Sequence, residues 1–84
     1  MEKELEFAIQ KLLESRKPDA SICPSEAARE VFGDDWRKRM PDVRKVANYM
    51  AKLGQIEICQ KGMVVDPTAA KGPIRLRISR NHIK

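Results

Sequence analysis

The stretch Gly54-Gln55-Ile56-Glu57-Ile58-Cys59-Gln60-Lys61-Gly62-Met63-Val64-Val65-Asp66 decides the fold. Before it, apolar residues recur at helical spacing; within it the period drops to two, as strands require. Two alternating runs flank Lys61-Gly62, which reads as a two-residue hairpin turn. In that register Gln60 opposes Met63 and Ile58 opposes Val65. Ile56, Ile58, Met63 and Val65 then share the buried face, and Cys59 falls on the less buried one.

Downstream, Pro67 stops the second strand, and residues 68–72 form a loop or one helical turn. Gly72-Pro73 introduces Ile74-Arg75-Leu76-Arg77-Ile78, with apolar residues inward and arginines outward. Upstream, Trp36, Met40, Val43, Ala47, Met50 and Leu53 recur at steps of three and four. This predicts a short helical turn at 35–40, a kink or break at Pro41, and a longer helix from Pro41 to Leu53. Asp34 and Asp35 are its expected caps.

Pro24, Ser25 and Glu26 open an earlier helix that buries Ala27, Ala28, Val31 and Phe32 and closes on a left-handed Gly33. Leu5, Ala8, Ile9, Leu12 and Leu13 stripe a first helix from Glu2 to about Arg16, ended by Lys17-Pro18. Residues 19–22 connect the two, with room for a short extended segment. The order predicts an α+β fold, a winged helix-turn-helix: three helices, then a small antiparallel β-sheet of hairpin wing plus third strand. Residues 1–78 form a single domain, and 79–84 a flexible C-terminal tail.

The 84 residues suffice for one domain, and 35% of them are charged. No apolar run is long enough to cross a membrane, and the acidic N-terminus lacks the features of a signal peptide. With Cys23 and Cys59 the only cysteines, a reducing, cytoplasmic location is expected and a disulfide scaffold is not. Charge is divided: residues 1–35 carry a net −4, residues 36–84 a net +9. Such a basic half attracts anionic partners, nucleic acid first among them.

The third helix concentrates the candidates. Opposite its apolar stripe lie Arg37, Arg44, Asn48 and Lys52, flanked by Lys38 and Lys45, with Arg37, Arg44 and Asn48 in a row. Arginine and lysine neutralise phosphates, and Asn or Arg reads base edges in a major groove. The plain alternative is a solvated face with cations near the helix C-terminus. Trp36 reads as core by its spacing, with base stacking as its second reading. Lys61 at the hairpin tip is placed to touch a backbone. Arg75 and Arg77, about 7 Å apart along a strand, suit adjacent phosphates. The favoured reading makes them salt-bridge partners for the acidic half, with Asp66 the nearest acid; Lys71 and Arg80 flank them.

Catalytic constellations are missing from the pattern. His82 is the one histidine and lies in the tail, and the four glycines are isolated at turns rather than gathered in a phosphate loop. Cys23, at a helix N-terminus, is the one reactive-thiol candidate, against the commoner reading of a small buried residue. Neither enzyme activity, cofactor nor metal is expected.

Several strings together carry a resemblance: Ile22-Cys23-Pro24-Ser25-Glu26-Ala27-Ala28-Arg29, Trp36-Arg37 with Met40 and Val43-Arg44, and Gly54-Gln55-Ile56. Gln60-Lys61-Gly62, Val65-Asp66-Pro67 and Gly72-Pro73-Ile74-Arg75-Leu76-Arg77 continue it. The chain resembles a small bacterial family of uncharacterised winged-helix domains, a domain of unknown function, from the first helix to Arg77. The resemblance implies a bacterial, cytoplasmic winged helix and transfers no catalytic or ligand residue. The patterned Arg37, Arg44, Asp66, Arg75 and Arg77 are where the activity is expected. The expected function is nucleic-acid binding, with double-stranded DNA the first partner and RNA the second. The competing expectation is a protein–protein module that meets an acidic partner. A monomer is the default, since no long heptad helix offers a dimer seam.

Overall fold

A computed structural model describes residues 2–17, 20–66 and 72–79. It is an α+β architecture of helices followed by a three-stranded antiparallel sheet. Helix α1 spans Glu2–Glu14, α2 Pro24–Phe32 and α3 Met40–Lys52, with a 3₁₀ turn over Gly33–Arg39 between α2 and α3. Strands β1 (Ile56–Gln60), β2 (Met63–Val64) and β3 (Arg75–Ile78) follow, in the spatial order β2-β1-β3.

The apolar stripe of α1 buries Leu5, Ala8, Ile9 and Leu13. Acids stand in its first turn and Lys11 in its last, matching the helix dipole. The N-terminus of α2 is fixed by Pro24 in the first turn and by Glu26, whose carboxylate accepts the Cys23 backbone N–H at 2.9 Å. Gly33 closes α2 with its N–H on the Arg29 carbonyl. Its φ of 58° is positive as expected, but ψ of −127° lies outside the left-handed helical region, which turns the chain into the 3₁₀ segment.

That segment departs from the sequence expectation in its capping. Asp34 and Asp35 lie inside the 3₁₀ turn rather than capping a helix, and no side chain caps either it or α3. The expected short turn, break and longer helix are present; Pro41 stands in the first turn of α3, where its missing N–H has no partner to lose. The change of helix type precedes it, at Met40.

From α3 the core receives Val43, Val46, Ala47 and Met50, with Trp36 and Met40 packed against its edge. Leu53, expected in this stripe, is exposed because the helix ends at Lys52 and the chain turns away. The sheet contributes Ile56, Ile58, Ile74 and Leu76, so one apolar cluster joins all three helices to β1 and β3. Burying each such side chain is worth about 1.5–3 kcal/mol.

The hairpin register is the expected one, with Gln60 opposite Met63. Lys61 and Gly62 both have positive φ, 51° and 82°, as a type I′ turn requires. Met63 was expected on the buried face and is instead exposed, since β2 is a two-residue edge strand with only β1 beside it. Cys59 is buried, contrary to expectation, because β1 is the central strand and Cys59 lies between Val64 and Arg75. The connector before α2 does hold an extended residue: Ile22 and Leu76 exchange two backbone hydrogen bonds of 2.8 Å. Ser79, assigned to the tail, is buried and its N–H donates to the Gln55 carbonyl at 3.3 Å. Residues 80–84 and 67–71, with the expected tail and the expected loop, lie outside the described residues.

Candidate nucleic-acid interface

The core-facing side of α3 determines what its other side presents. At about 100° per residue, Pro41, Lys45, Asn48 and Lys52 form the ridge opposite Val43, Val46, Ala47 and Met50. Lys45 and Lys52 are exposed and Asn48 half-buried. Arg44 stands at one flank of this ridge, half-buried, and its Nη1 donates to the Gly72 carbonyl at 3.1 Å. On the other flank Lys45 lines a groove with Glu2 and Glu6 of α1 and with Tyr49.

The expected row of Arg37, Arg44 and Asn48 is therefore broken up. Arg37 and Lys38 are exposed on the 3₁₀ turn, which has a different period, so they do not continue the α3 ridge. One hydrogen bond ties α3 to the segment before β3, and another ties the end of β1 to the same segment. Arg44 reaches Gly72, and Gln60 Nε2 donates to the Pro73 carbonyl at 3.1 Å. Arg44, the exposed Lys61 at the turn and the exposed Arg75 are thereby gathered around Gly72-Pro73.

The two strand arginines differ in their engagement. Arg75 donates from Nε to Ser21 Oγ and from Nη2 to the Ser21 carbonyl, both at 2.9 Å, tying β3 to the connector before α2. Arg77 lies opposite Glu57 in the β1–β3 register, and its Nε donates to Glu57 Oε1 at 2.7 Å in a partly buried pair. This partner comes from the basic half of the chain, not from the acidic one.

The same holds throughout. Among the described residues, Lys11 pairs with Glu30 and Arg16 with Glu26, all within the first half. Arg39 pairs with Asp42 and Arg77 with Glu57, all within the second. No ion pair among them crosses from the acidic half to Arg37, Lys38, Arg44, Lys45, Lys52 or Lys61. The Arg16 hydrogen bond and the Cys23 N–H hold the Glu26 carboxyl below its ordinary pKa, against a smaller effect of burial.

One feature of this region escaped the periodicity argument. The Arg29 guanidinium from α2 lies over the Trp36 ring at 4.5 Å from its centroid, and that of Arg37 at 5.1 Å. Arg39 sits similarly over Phe32, at 5.3 Å. Arg29 and Trp36 are separated by the Gly33 turn, so no single helical period relates them; the pairing of two elements is needed to see it. Trp36 is thus a half-buried edge of the core as well as a platform for cations.

Cys23 is half-buried at the start of α2 and accepts a hydrogen bond from Ser25 Oγ at 3.1 Å. Burial pushes the Cys59 thiol up from its ordinary pKa, partly opposed by Arg77 and slightly reinforced by Glu57. No cluster of potential metal ligands occurs among the described residues. No helix among them is long and apolar enough to cross a membrane.

A family model described as "Protein of unknown function (DUF3253)" matches residues 2–79. No curated protein matches the chain.

Proposed function

The chain belongs to the DUF3253 family of proteins of unknown function, and from that starting point we propose that it is a winged-helix domain that binds nucleic acid. In this reading α2, the 3₁₀ turn and α3 form the helix-turn-helix, with α3 as the recognition helix. The Ile22–Leu76 bridge supplies the short first strand, β1 and β3 the sheet, and the β1–β2 hairpin the wing. The observation that carries the proposal is the absence, among the described residues, of ion pairs between the acidic half and the cations of α3 and the hairpin. Those cations are held in no ion pair among the described residues, and a duplex offers the dense phosphates that cations of this kind neutralise. Asn48, on the ridge between Lys45 and Lys52, is the side chain suited to read a base edge.

An NMR titration of the labelled domain with a generic DNA duplex at two salt concentrations tests the proposal. The expected result is shifts at Arg44, Asn48, Lys52 and the Lys61-Gly62 turn that shrink at high salt. No shifts even at low salt would refute it.

One observation favours a protein-docking module instead. Tyr49 on α3 and Leu53 just past its end are 54% and 53% exposed. Such an apolar pair beside Lys45 and Lys52 suits an acidic protein with an apolar anchor. A silent duplex titration, with Tyr49→Ala abolishing a protein contact that Asn48→Ala leaves intact, would turn the assignment to this reading.

A further inference from the structure

We infer that Arg29 and Arg37, stacked on the indole of Trp36, form a second phosphate-binding point that takes a backbone phosphodiester of the nucleic acid. The inference rests on the nucleic-acid reading above and extends the contact from α3 to α2 and the 3₁₀ turn.

The two guanidinium carbons lie 4.5 and 5.1 Å from the same ring centroid. Stacking uses the flat face of a guanidinium and none of its N–H groups, which all lie in the plane and point outward from its rim. Each arginine is exposed, and among the described residues neither makes a hydrogen bond or an ion pair through its side chain. The other arginines of this surface are engaged. Arg39, over Phe32, donates to Asp42; Arg75 is held by Ser21; Arg77 is held by Glu57. Asp34 and Asp35 share the turn with Arg37, but no ion pair forms between them and either stacked arginine.

Trp36 packs against the core, so the platform is fixed by the fold. Holding two planar forks in place removes part of the ordering cost that flexible side chains meet on binding. Guanidinium forks match the paired oxygens of a phosphodiester.

The chain has a single tryptophan, so its emission reports on this site alone. The full chain is titrated with a generic DNA duplex while Trp36 emission is followed, and with a labelled duplex while anisotropy is followed. Arg29→Gln, Arg29→Lys and Lys52→Gln are run beside the wild type, and thermal melts of each confirm that it is folded. The expected result is a change in Trp36 emission on binding and a loss of about three- to tenfold in affinity for Arg29→Gln. The log–log salt slope of that variant falls by about one unit. Arg29→Lys restores the slope but not the emission change, because it keeps the charge and loses the planar stack.

Duplex binding that Lys52→Gln weakens but Arg29→Gln leaves unchanged, with silent Trp36 emission, would overturn this inference and leave the nucleic-acid reading standing. No duplex binding by the wild-type chain at low salt would overturn both.

Discussion

Raising the salt concentration separates the cations that are available from those the fold already uses. Arg29, Arg37, Lys52 and Lys61 are exposed and make no hydrogen bond or ion pair through their side chains among the described residues. Arg77 stands on β3 with its guanidinium 2.7 Å from Glu57. If those four cations each neutralise one phosphate, the slope of log affinity against log salt is about −3.6. Affinity then falls by about two orders of magnitude between roughly 50 and 200 mM salt. Anisotropy of a labelled duplex over that range measures the slope directly. Lys52→Ala is expected to flatten it by about 0.9 with little change in stability. Arg77→Ala is expected to leave the slope unchanged while removing a partly buried, hydrogen-bonded ion pair and leaving Glu57 unpaired. That costs about 1–2 kcal/mol, or a melting temperature lower by about 5–10 °C for a domain of this size. The reasoning is refuted by a slope near zero, or by Arg77→Ala flattening it as much as Lys52→Ala does.

Three further outcomes follow from the same contacts. Glu26 has a folded-state pKa below 4.5, so its stabilisation is present above about pH 4.5 and is lost as acid titrates the native carboxylate below it. Glu26→Gln is expected to cost about 0.5–1 kcal/mol at pH 7, discounted because the Arg16 pair is a third exposed, and to shrink that difference in acid; chemical denaturation at pH 7 and pH 3 reads both. A thiol reagent under native conditions is expected to modify half-buried Cys23 well before Cys59, which is buried with a raised pKa; mass spectrometry of peptides over a time course gives the order, and equal rates would contradict the assigned burial. Leu76→Ala, at a fully buried position where β3 meets both β1 and Ile22, is expected to cost about 2–5 kcal/mol by urea denaturation, a large part of what a domain this small has.

The helices, the hairpin and its register were legible in the sequence because each depends on residues close along the chain. The α1 stripe, Pro24 at the start of α2 and the Lys61-Gly62 turn all state their structure within one or two turns of backbone. Local signals were misread where a neighbouring element changed their meaning. Asp34 and Asp35 are good caps in isolation, yet the chain leaves Gly33 in a conformation that starts a 3₁₀ turn around them. Cys59 has the parity of an outer residue, yet it is buried because strands flank it on both sides.

By itself the sequence determined the local conformations and the division of charge, because period, turn chemistry and composition are written along the chain. Only the tertiary structure decided which cations have partners. Antiparallel pairing of β1 with β3 sets Arg77 opposite Glu57, the Ile22–Leu76 bridge brings Arg75 to Ser21, and the packing of α2 against the 3₁₀ turn lays Arg29 on Trp36. Each of those neighbours is distant in sequence or lies across a turn, so its identity is fixed by how the elements pack and not by any repeat along the chain.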